Sequence, residues 1–170
     1  SGDMPVHPSR ICISEILERC VSEIKPLADA RRIGVGMAVV PSLEVYADSA
    51  LLTRVIQNLL HNAVKYNFEG GRILISGKVM DKNKVKISIH NSGPGIALKD
   101  MPHIFERYYQ AESSWKGQSM STGLGLTFCK EALRLMQGSI DATSAPGQYS
   151  EFFFALPLYA AELKTQVHLL

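Results

Sequence analysis

The sequence predicts an α+β domain, a two-layer α/β sandwich in which helices cover one face of a mixed, mainly antiparallel sheet. Segments with helical spacing of apolar residues and segments with alternating apolar residues follow one another in the order helix, strand, helix, two strands, loop, helix, two strands. Consecutive strands are joined by short turns, which permit antiparallel pairing and do not suit a doubly wound parallel sheet. The sequence therefore favours a single layer of helices on one sheet.

Composition narrows the classes of function. The 170 residues are 46% hydrophobic and 20% charged, as in a soluble globular domain. No apolar run approaches the roughly 18 residues of a membrane span, and a net charge of +2 is too small to indicate a nucleic-acid or membrane surface. Three widely separated cysteines without metal-ligand spacing favour a cytoplasmic location. We predict a lead-in over residues 1–9, one domain over 10–158 and a tail over 159–170.

The first two elements are a helix and a strand. Residues 15–31 carry apolar side chains at helical spacing, with Ser14 as the predicted N-cap and Pro26 as a kink or an imperfect end. Residues 33–40 are short, apolar and rich in valine, which predicts a strand that Pro41 ends.

The next helix is predicted over residues 51–67, with a capping signal at Asp48. One side of it is an apolar arc, and the opposite side is a polar stripe of Arg54, Asn58, His61, Asn62 and Lys65. Carboxamide oxygens are hard, neutral ligands that suit Mg²⁺, and a lysine suits phosphate. The alternative is a core helix whose solvated face holds two asparagines by chance.

The second half of the chain alternates strands with glycine loops. We predict strands over 72–79, 85–91, 139–144 and 151–156, glycine loops at 91–96 and 123–125, an aromatic segment at 104–109, a polar loop at 110–122 and a helix from 123 to about 137. Glycine lets the backbone approach a ligand, and a helix N-terminus offers free N–H groups to phosphate. Either loop alone is a weak signal, and neither fits the GxxxxGK[ST] phosphate loop.

Four motifs in sequence order form the strongest pattern. They are Asn58-Leu-Leu-His-Asn62-Ala-Val-Lys65-Tyr66, Asn91-Ser-Gly93-Pro-Gly95-Ile96, Ile104-Phe105-Glu-Arg107-Tyr-Tyr109-Gln110 and Thr122-Gly123-Leu124-Gly125-Leu. The set resembles the N, G1, F and G2 boxes of the catalytic, ATP-binding domain of sensor histidine kinases, in the superfamily shared with DNA gyrase, Hsp90 and MutL. The resemblance covers residues 10–158 and implies the Bergerat ATP-binding fold, with ATP or ADP and Mg²⁺ as ligands.

The resemblance also implies a role for each motif. On the helix, Asn62 would hold Mg²⁺, Asn58 would support the metal and phosphate end, Lys65 would reach a phosphate and Tyr66 would pack near adenine and ribose. The remaining implied nucleotide contacts are Asn91, Gly93, Gly95, Ile96 and Glu151 at the base, Phe105 and Gln110 at the lid, and Thr122, Gly123, Leu124 and Gly125 over the phosphates. Arg107 would help to anchor the lid. Asn58, Lys65 and Arg107 are the candidate catalytic residues. For Phe105 and its aromatic neighbours, core packing is the alternative.

Position 58 bears on the reaction type. Gyrase and Hsp90 carry a glutamate one turn before the metal-binding asparagine, whereas Asn58 cannot act as a general base. The resemblance therefore implies phosphoryl transfer, to a histidine on a dimerisation domain that this chain does not contain, and onward to a response-regulator receiver domain. The implied parent is a homodimer with no nucleic-acid partner and no direct membrane contact by this domain.

Three positions depart from the family pattern. Asn91 stands where the family has aspartate, Glu151 where it has a small hydroxyl residue before a phenylalanine, and Ser121 where it has glycine. An asparagine still accepts a hydrogen bond from the adenine amine. Two hypotheses stay open for the base pocket, rearranged adenine contacts or a different ligand. At the level of function, the alternative to a kinase is a degenerate pseudokinase domain that acts as a protein-interaction module.

Overall fold

The computed structural model describes residues 4–81, 83–109 and 125–159. Its elements in chain order are β1 (Ser9–Cys12), α1 (Ile13–Ala30), β2 (Gly34–Val39), β3 (Glu44–Ala47), α2 (Ser49–Lys65), β4 (Arg72–Met80), β5 (Lys84–Ser92), a 3-10 turn (Met101–His103), α3 (Gly125–Leu135), β6 (Ser139–Ala145) and β7 (Tyr149–Pro157). Within these ranges, no helix is both long enough and apolar enough to cross a membrane.

A five-stranded sheet forms one layer, in the order β2-β4-β5-β7-β6. β2 is parallel to β4, and the other neighbours are antiparallel. Alternate residues of the central strands are buried, among them Ile87, Ile89 and Phe154, because successive side chains of a strand point to opposite faces. Helices α1, α2 and α3 each contact this sheet, and α2 contacts both α1 and α3. The predicted α+β sandwich with a mixed, mainly antiparallel sheet is confirmed.

Helix α1 begins before its predicted cap. Ser14 was expected at the N-cap, but Cys12 occupies that position and makes no side-chain capping bond. Ser14 lies buried in the first turn and donates its hydroxyl to the carbonyl of Pro41 at 3.1 Å. The helix runs through Pro26 and ends at Ala30.

Helix α2 begins at the predicted cap. The Asp48 carboxylate accepts from the backbone N–H of Leu51 at 3.0 Å and from that of His7 at 2.8 Å. The apolar arc is buried, with Leu52, Val55 and Ile56 at 0% exposure. Since burial of this arc fixes the rotation of the helix, the polar stripe is turned away from the core.

A second sheet, of two strands, was not predicted from the sequence. β1 and β3 pair antiparallel, with Ser9 opposite Ala47. Residues 1–9 were predicted as a lead-in, and no strand was predicted over 44–47. Strands of four residues are too short for a readable period, so long-range pairing alone defines them.

Candidate functional site

Three polar residues of α2 lie along one side of the helix. Asn58, Asn62 and Lys65 are each half-buried, while the opposite side of the helix packs into the core. The Lys65 ammonium lies 5.3 Å from the centroid of the Tyr66 ring. The predicted carboxamide pair and lysine therefore share one partly exposed row that ends at Tyr66.

Asn91 lies beside the C-terminal end of that row. It is 3% exposed, and its Nδ2 donates to the carbonyls of Ser92 at 2.9 Å and Tyr66 at 3.4 Å. Its Oδ1 accepts from the Ser150 hydroxyl at 3.0 Å. A flipped carboxamide would set Oδ1 against two carbonyl oxygens, so these contacts fix the orientation. The Asn91 oxygen has a second lone pair, which can accept one more hydrogen bond.

The register of β7 corrects one predicted site residue. Glu151 was predicted to occupy the hydroxyl position beside the base, but Glu151 pairs with His90, and Ser150 pairs with Asn91. Because neighbouring residues of a strand face opposite sides of the sheet, Glu151 points away from Asn91. Ser150 was missed because the predicted strand started two residues late, although the alternation continues back to Tyr149.

The first glycine loop is pressed against the backbone of α2 and of the β6–β7 turn. A Cβ on Gly93 would lie 2.1 Å from the Tyr66 carbonyl oxygen. Gly95 has φ +70°, and its Cβ would lie 2.7 Å from the Ala145 carbonyl oxygen. Side chains at these positions would force the loop away from Asn91, so the predicted glycines are explained by close approach. Ser144 belongs to none of the four motifs, and its hydroxyl accepts from the Ile96 N–H at 2.7 Å.

The start of α3 faces the middle of α2. A Cβ on Gly125 would lie 3.6 Å from Oδ1 of Asn58. Burial raises the pKa of the Cys129 thiol to about 12, and a hydrogen bond with the Asn58 side chain offsets only part of this rise. Asn58, Gly125 and Cys129 are thus brought together by two helices far apart in sequence.

The aromatic segment packs as the alternative interpretation expected for Phe105. Its ring meets Phe152 edge-on at a centroid distance of 6.3 Å, and its carbonyl accepts from the Thr127 hydroxyl at 3.1 Å. Arg107 is exposed, with its guanidinium 5.9 Å from the centroid of the Tyr108 ring. The predicted residues Gln110, Thr122, Gly123 and Leu124, and the departure at Ser121, lie outside the described residues.

The donor set limits the kind of metal site. In residues 4–81, 83–109 and 125–159, no group of three or more His, Cys, Asp or Glu side chains is placed to hold an ion. The half-buried Asn62 carboxamide offers one hard oxygen ligand. Mg²⁺ commonly binds through one or two protein ligands and several phosphate oxygens, so Asn62 fits an ion that arrives with a nucleotide.

Comparison with known proteins gives one family over most of the chain. The model of the family described as histidine kinase-, DNA gyrase B- and HSP90-like ATPase matches residues 47–160. Adaptive-response sensory kinase SasA of Crocosphaera subtropica is 32% identical over 160 residues, which are 94% of this chain and 41% of SasA. Sensor histidine kinase RcsC of Escherichia coli is 28% identical over 164 residues, which are 95% of this chain and 17% of RcsC. The chain therefore spans less than half the length of each of these relatives.

Solved structures show the same fold. Full-length ShkA in complex with AMPPNP aligns with a TM-score of 0.83 at 26% identity, over 95% of this chain and 33% of ShkA. The nucleotide-free catalytic domain of histidine kinase ThkA aligns with a TM-score of 0.77 at 24% identity, over 89% of this chain and 95% of that domain.

Proposed function

The chain belongs to the family of histidine kinase-, DNA gyrase B- and HSP90-like ATPases, and from this premise we propose that it is the catalytic domain of a sensor histidine kinase that binds ATP with Mg²⁺ and transfers the γ-phosphoryl group to a histidine outside this chain. The named relatives SasA and RcsC are sensory kinases, and ShkA was solved with AMPPNP. These relatives support both the nucleotide and the reaction class.

The observation that carries the proposal is the row of polar residues on α2 between two anchoring features. At its C-terminal end, Asn91 presents a fixed acceptor for the exocyclic amine of adenine. At its N-terminal end, the start of α3 approaches Asn58, and free N–H groups of a helix N-terminus suit phosphate. An adenine nucleotide laid along α2 would therefore meet Asn91 with its base and Asn58, Asn62 and Lys65 with its phosphates.

Mg²⁺ would be held by Asn62 together with phosphate oxygens. When bound, it would neutralise charge on the triphosphate during transfer. Lys65 would add a cation near the phosphates, and Asn58 would support their position. We propose nucleotide contacts for Gly93, Gly95 and Ile96 as well. Arg107 and the residues outside the described ranges, Gln110, Thr122, Gly123 and Leu124, remain proposed from the motifs alone.

The absence of a carboxylate at position 58 favours transfer over hydrolysis. An amide cannot take a proton from water, so the side chains of this row would work by positioning and charge stabilisation. In the transfer step, an imidazole nitrogen of the acceptor histidine forms a bond to Pγ. The bond from Pγ to the β,γ-bridging oxygen breaks, and ADP leaves with that electron pair.

The acceptor histidine would lie on a dimerisation domain of the same protein, which would make the parent a homodimer. A response-regulator receiver domain would then accept the phosphoryl group. ThkA has been solved in complex with the response regulator protein TrrA, which supports a partner of this kind. We also propose a cytoplasmic location, with no nucleic acid as partner and no direct membrane contact by this domain.

The test is calorimetric titration of the domain with ADP and AMPPNP, with and without Mg²⁺. Micromolar binding that Mg²⁺ strengthens is expected, and Asn62→Ala should remove the Mg²⁺ effect. His61→Ala is the matched control, since His61 is the exposed neighbour on the same helix. Absence of wild-type binding up to millimolar nucleotide, or an Asn62→Ala variant that keeps the full Mg²⁺ effect, would contradict the proposal.

Titrations with GTP and a cyclic dinucleotide test the hypothesis that the base pocket binds a ligand other than an adenine nucleotide. With Glu151 turned away from Asn91, one reason to expect a different ligand disappears. Tightest binding of an adenine nucleotide is therefore expected. Tighter binding of either alternative would show that Asn91 reads another base. Neither the described part of the chain nor the relatives named above favour the pseudokinase.

A further inference from the structure

We propose that Arg54 binds the terminal phosphate of the nucleotide triphosphate and so distinguishes ATP from ADP. This inference rests on the proposed function, because it extends the phosphate end of that same site. It assigns a role to a cation on the polar stripe that none of the four motifs includes.

Arg54 lies one helical turn before Asn58 on α2. One turn advances the helix by about 5.4 Å, so Arg54 continues the row of Asn62 and Asn58 away from the base end. The residue is exposed, and its guanidinium carbon lies 3.9 Å from the centroid of the Phe128 ring. A cation stacked on an aromatic face is held in place without losing its charge.

The stacking partner places this cation at the start of α3. Phe128 follows Gly125 by three residues, and Gly125 is the residue that approaches Asn58. Arg54 is also close enough to Cys129 to act on its pKa electrostatically, although burial dominates that shift. The guanidinium, the Asn58 carboxamide and the first turn of α3 thus lie around one region.

No carboxylate in residues 4–81, 83–109 and 125–159 forms a salt bridge with Arg54. By contrast, Arg10, Arg31 and Arg134 each pair with a glutamate. An exposed arginine held by an aromatic ring and without a counter-ion is suited to a phosphate, which a guanidinium binds with two parallel hydrogen bonds.

The two cations on the polar side of α2, Lys65 and Arg54, lie far apart along the helix. Lys65 lies beside Tyr66 at the base end, eleven residues from Arg54, or roughly 16 Å along the helix axis. The sequence from 110 to 124 contributes one basic residue, Lys116, and one acidic residue, Glu112. Lys65 is therefore placed for the phosphates nearest the nucleoside, and Arg54 for the phosphate that only ATP carries.

The test compares ADP with AMPPNP in Mg²⁺ by calorimetry for the wild type, Arg54→Gln and Arg54→Lys. Arg54→Gln is expected to weaken AMPPNP binding by about tenfold to a hundredfold, the range for a lost charge-assisted hydrogen bond, and to leave ADP binding within about twofold. Arg54→Lys keeps the charge but loses the planar guanidinium, so its affinity for AMPPNP should lie between those of the wild type and Arg54→Gln. Arg19→Gln is the control, since it removes one exposed positive charge from α1.

The outcomes separate this inference from the function on which it rests. A wild type that binds both nucleotides, with an Arg54→Gln variant that keeps the wild-type ratio of the two affinities, would overturn the role of Arg54 and leave the proposed function intact. That result, with a lower melting temperature, would mean that the stack on Phe128 only joins α2 to α3. A wild type that binds neither nucleotide would overturn both. If Arg54→Gln fails to fold, the affinity ratio of Arg54→Lys decides in the same way.

Discussion

Replacement of Asn67 by alanine should strongly destabilise the domain, because this side chain joins three segments next to the site. Asn67 is 0% exposed. Its Nδ2 donates to the carbonyls of Ala63 at 3.1 Å and Arg72 at 3.0 Å, and its Oδ1 accepts from the Ser92 hydroxyl at 2.7 Å. The three bonds connect the last turn of α2 to β4 and β5.

The magnitude follows from the number of bonds. One buried and two partly buried hydrogen bonds at up to about 1 kcal/mol each give up to about 3 kcal/mol. The Ala63 carbonyl, whose bond is the buried one, is left unpaired, which costs about 1–3 kcal/mol more. We expect Asn67→Ala to lower the free energy of unfolding by about 3–5 kcal/mol. Urea denaturation followed by circular dichroism measures this, with a midpoint lower by roughly 2 M for a slope of about 2 kcal/mol/M.

Two further variants make the reasoning testable. Ser92→Ala removes one of the three bonds, and a double variant should cost less than the sum of the single changes because both residues share that bond. Asn62→Ala, on the half-buried side of the same helix, should change stability by no more than about 0.5 kcal/mol. A loss below about 1 kcal/mol for Asn67→Ala would refute the view that this network holds the end of α2.

Three other predictions concern pH and base selection. Burial acts against the charge of Asp48, but backbone N–H donors outweigh it and hold its pKa below the usual value. The stabilisation is therefore present above the unfolded-state pKa and is lost as acid protonates the folded carboxylate, so Asp48→Asn should make the urea midpoint less dependent on pH between pH 5 and 2. Asp48→Ala should lower the free energy of unfolding by about 1–2 kcal/mol at pH 7. Burial raises the pKa of Cys129 to about 12, so the free energy of unfolding should fall as pH rises from the unfolded-state pKa of about 9 toward 12. Cys129→Ala should show a smaller fall over that range. Equal slopes of unfolding free energy against pH in the two proteins would contradict the raised pKa of Cys129. Because the Asn91 oxygen is a fixed acceptor, ADP should bind at least about tenfold more tightly than GDP, and Asn91→Leu should reduce that preference in calorimetric titrations; a wild type that prefers GDP would reverse the orientation inferred for the carboxamide.

Local pattern was enough to predict the main elements. The apolar arc of α2 sets which side of the helix is buried, so the row of Asn58, Asn62 and Lys65 was predictable from spacing alone. The Asp48 cap follows equally from its own residue type and from its position before the apolar arc. Alternation predicted β4 and β5, because a half-buried strand repeats every two residues whatever its partner.

Only the tertiary structure decided which strand residues meet at the base end. A shift of one residue moves a side chain to the other face of a sheet, and pairing with β5 places Ser150, not Glu151, opposite Asn91. The small sheet of β1 and β3 likewise exists through contacts between residues 38 positions apart, such as Ser9 and Ala47.

The same holds for the contacts that orient the site. The stack of Arg54 on Phe128 and the hydrogen bond between Ser92 and Asn67 join residues that no local period relates. The sequence by itself determined which residues are polar, where the helices lie and which of their faces are buried, since these depend on neighbours three or four positions away. The packing of distant segments determined which polar groups touch, because that depends on strand register and on how helices lie against one another.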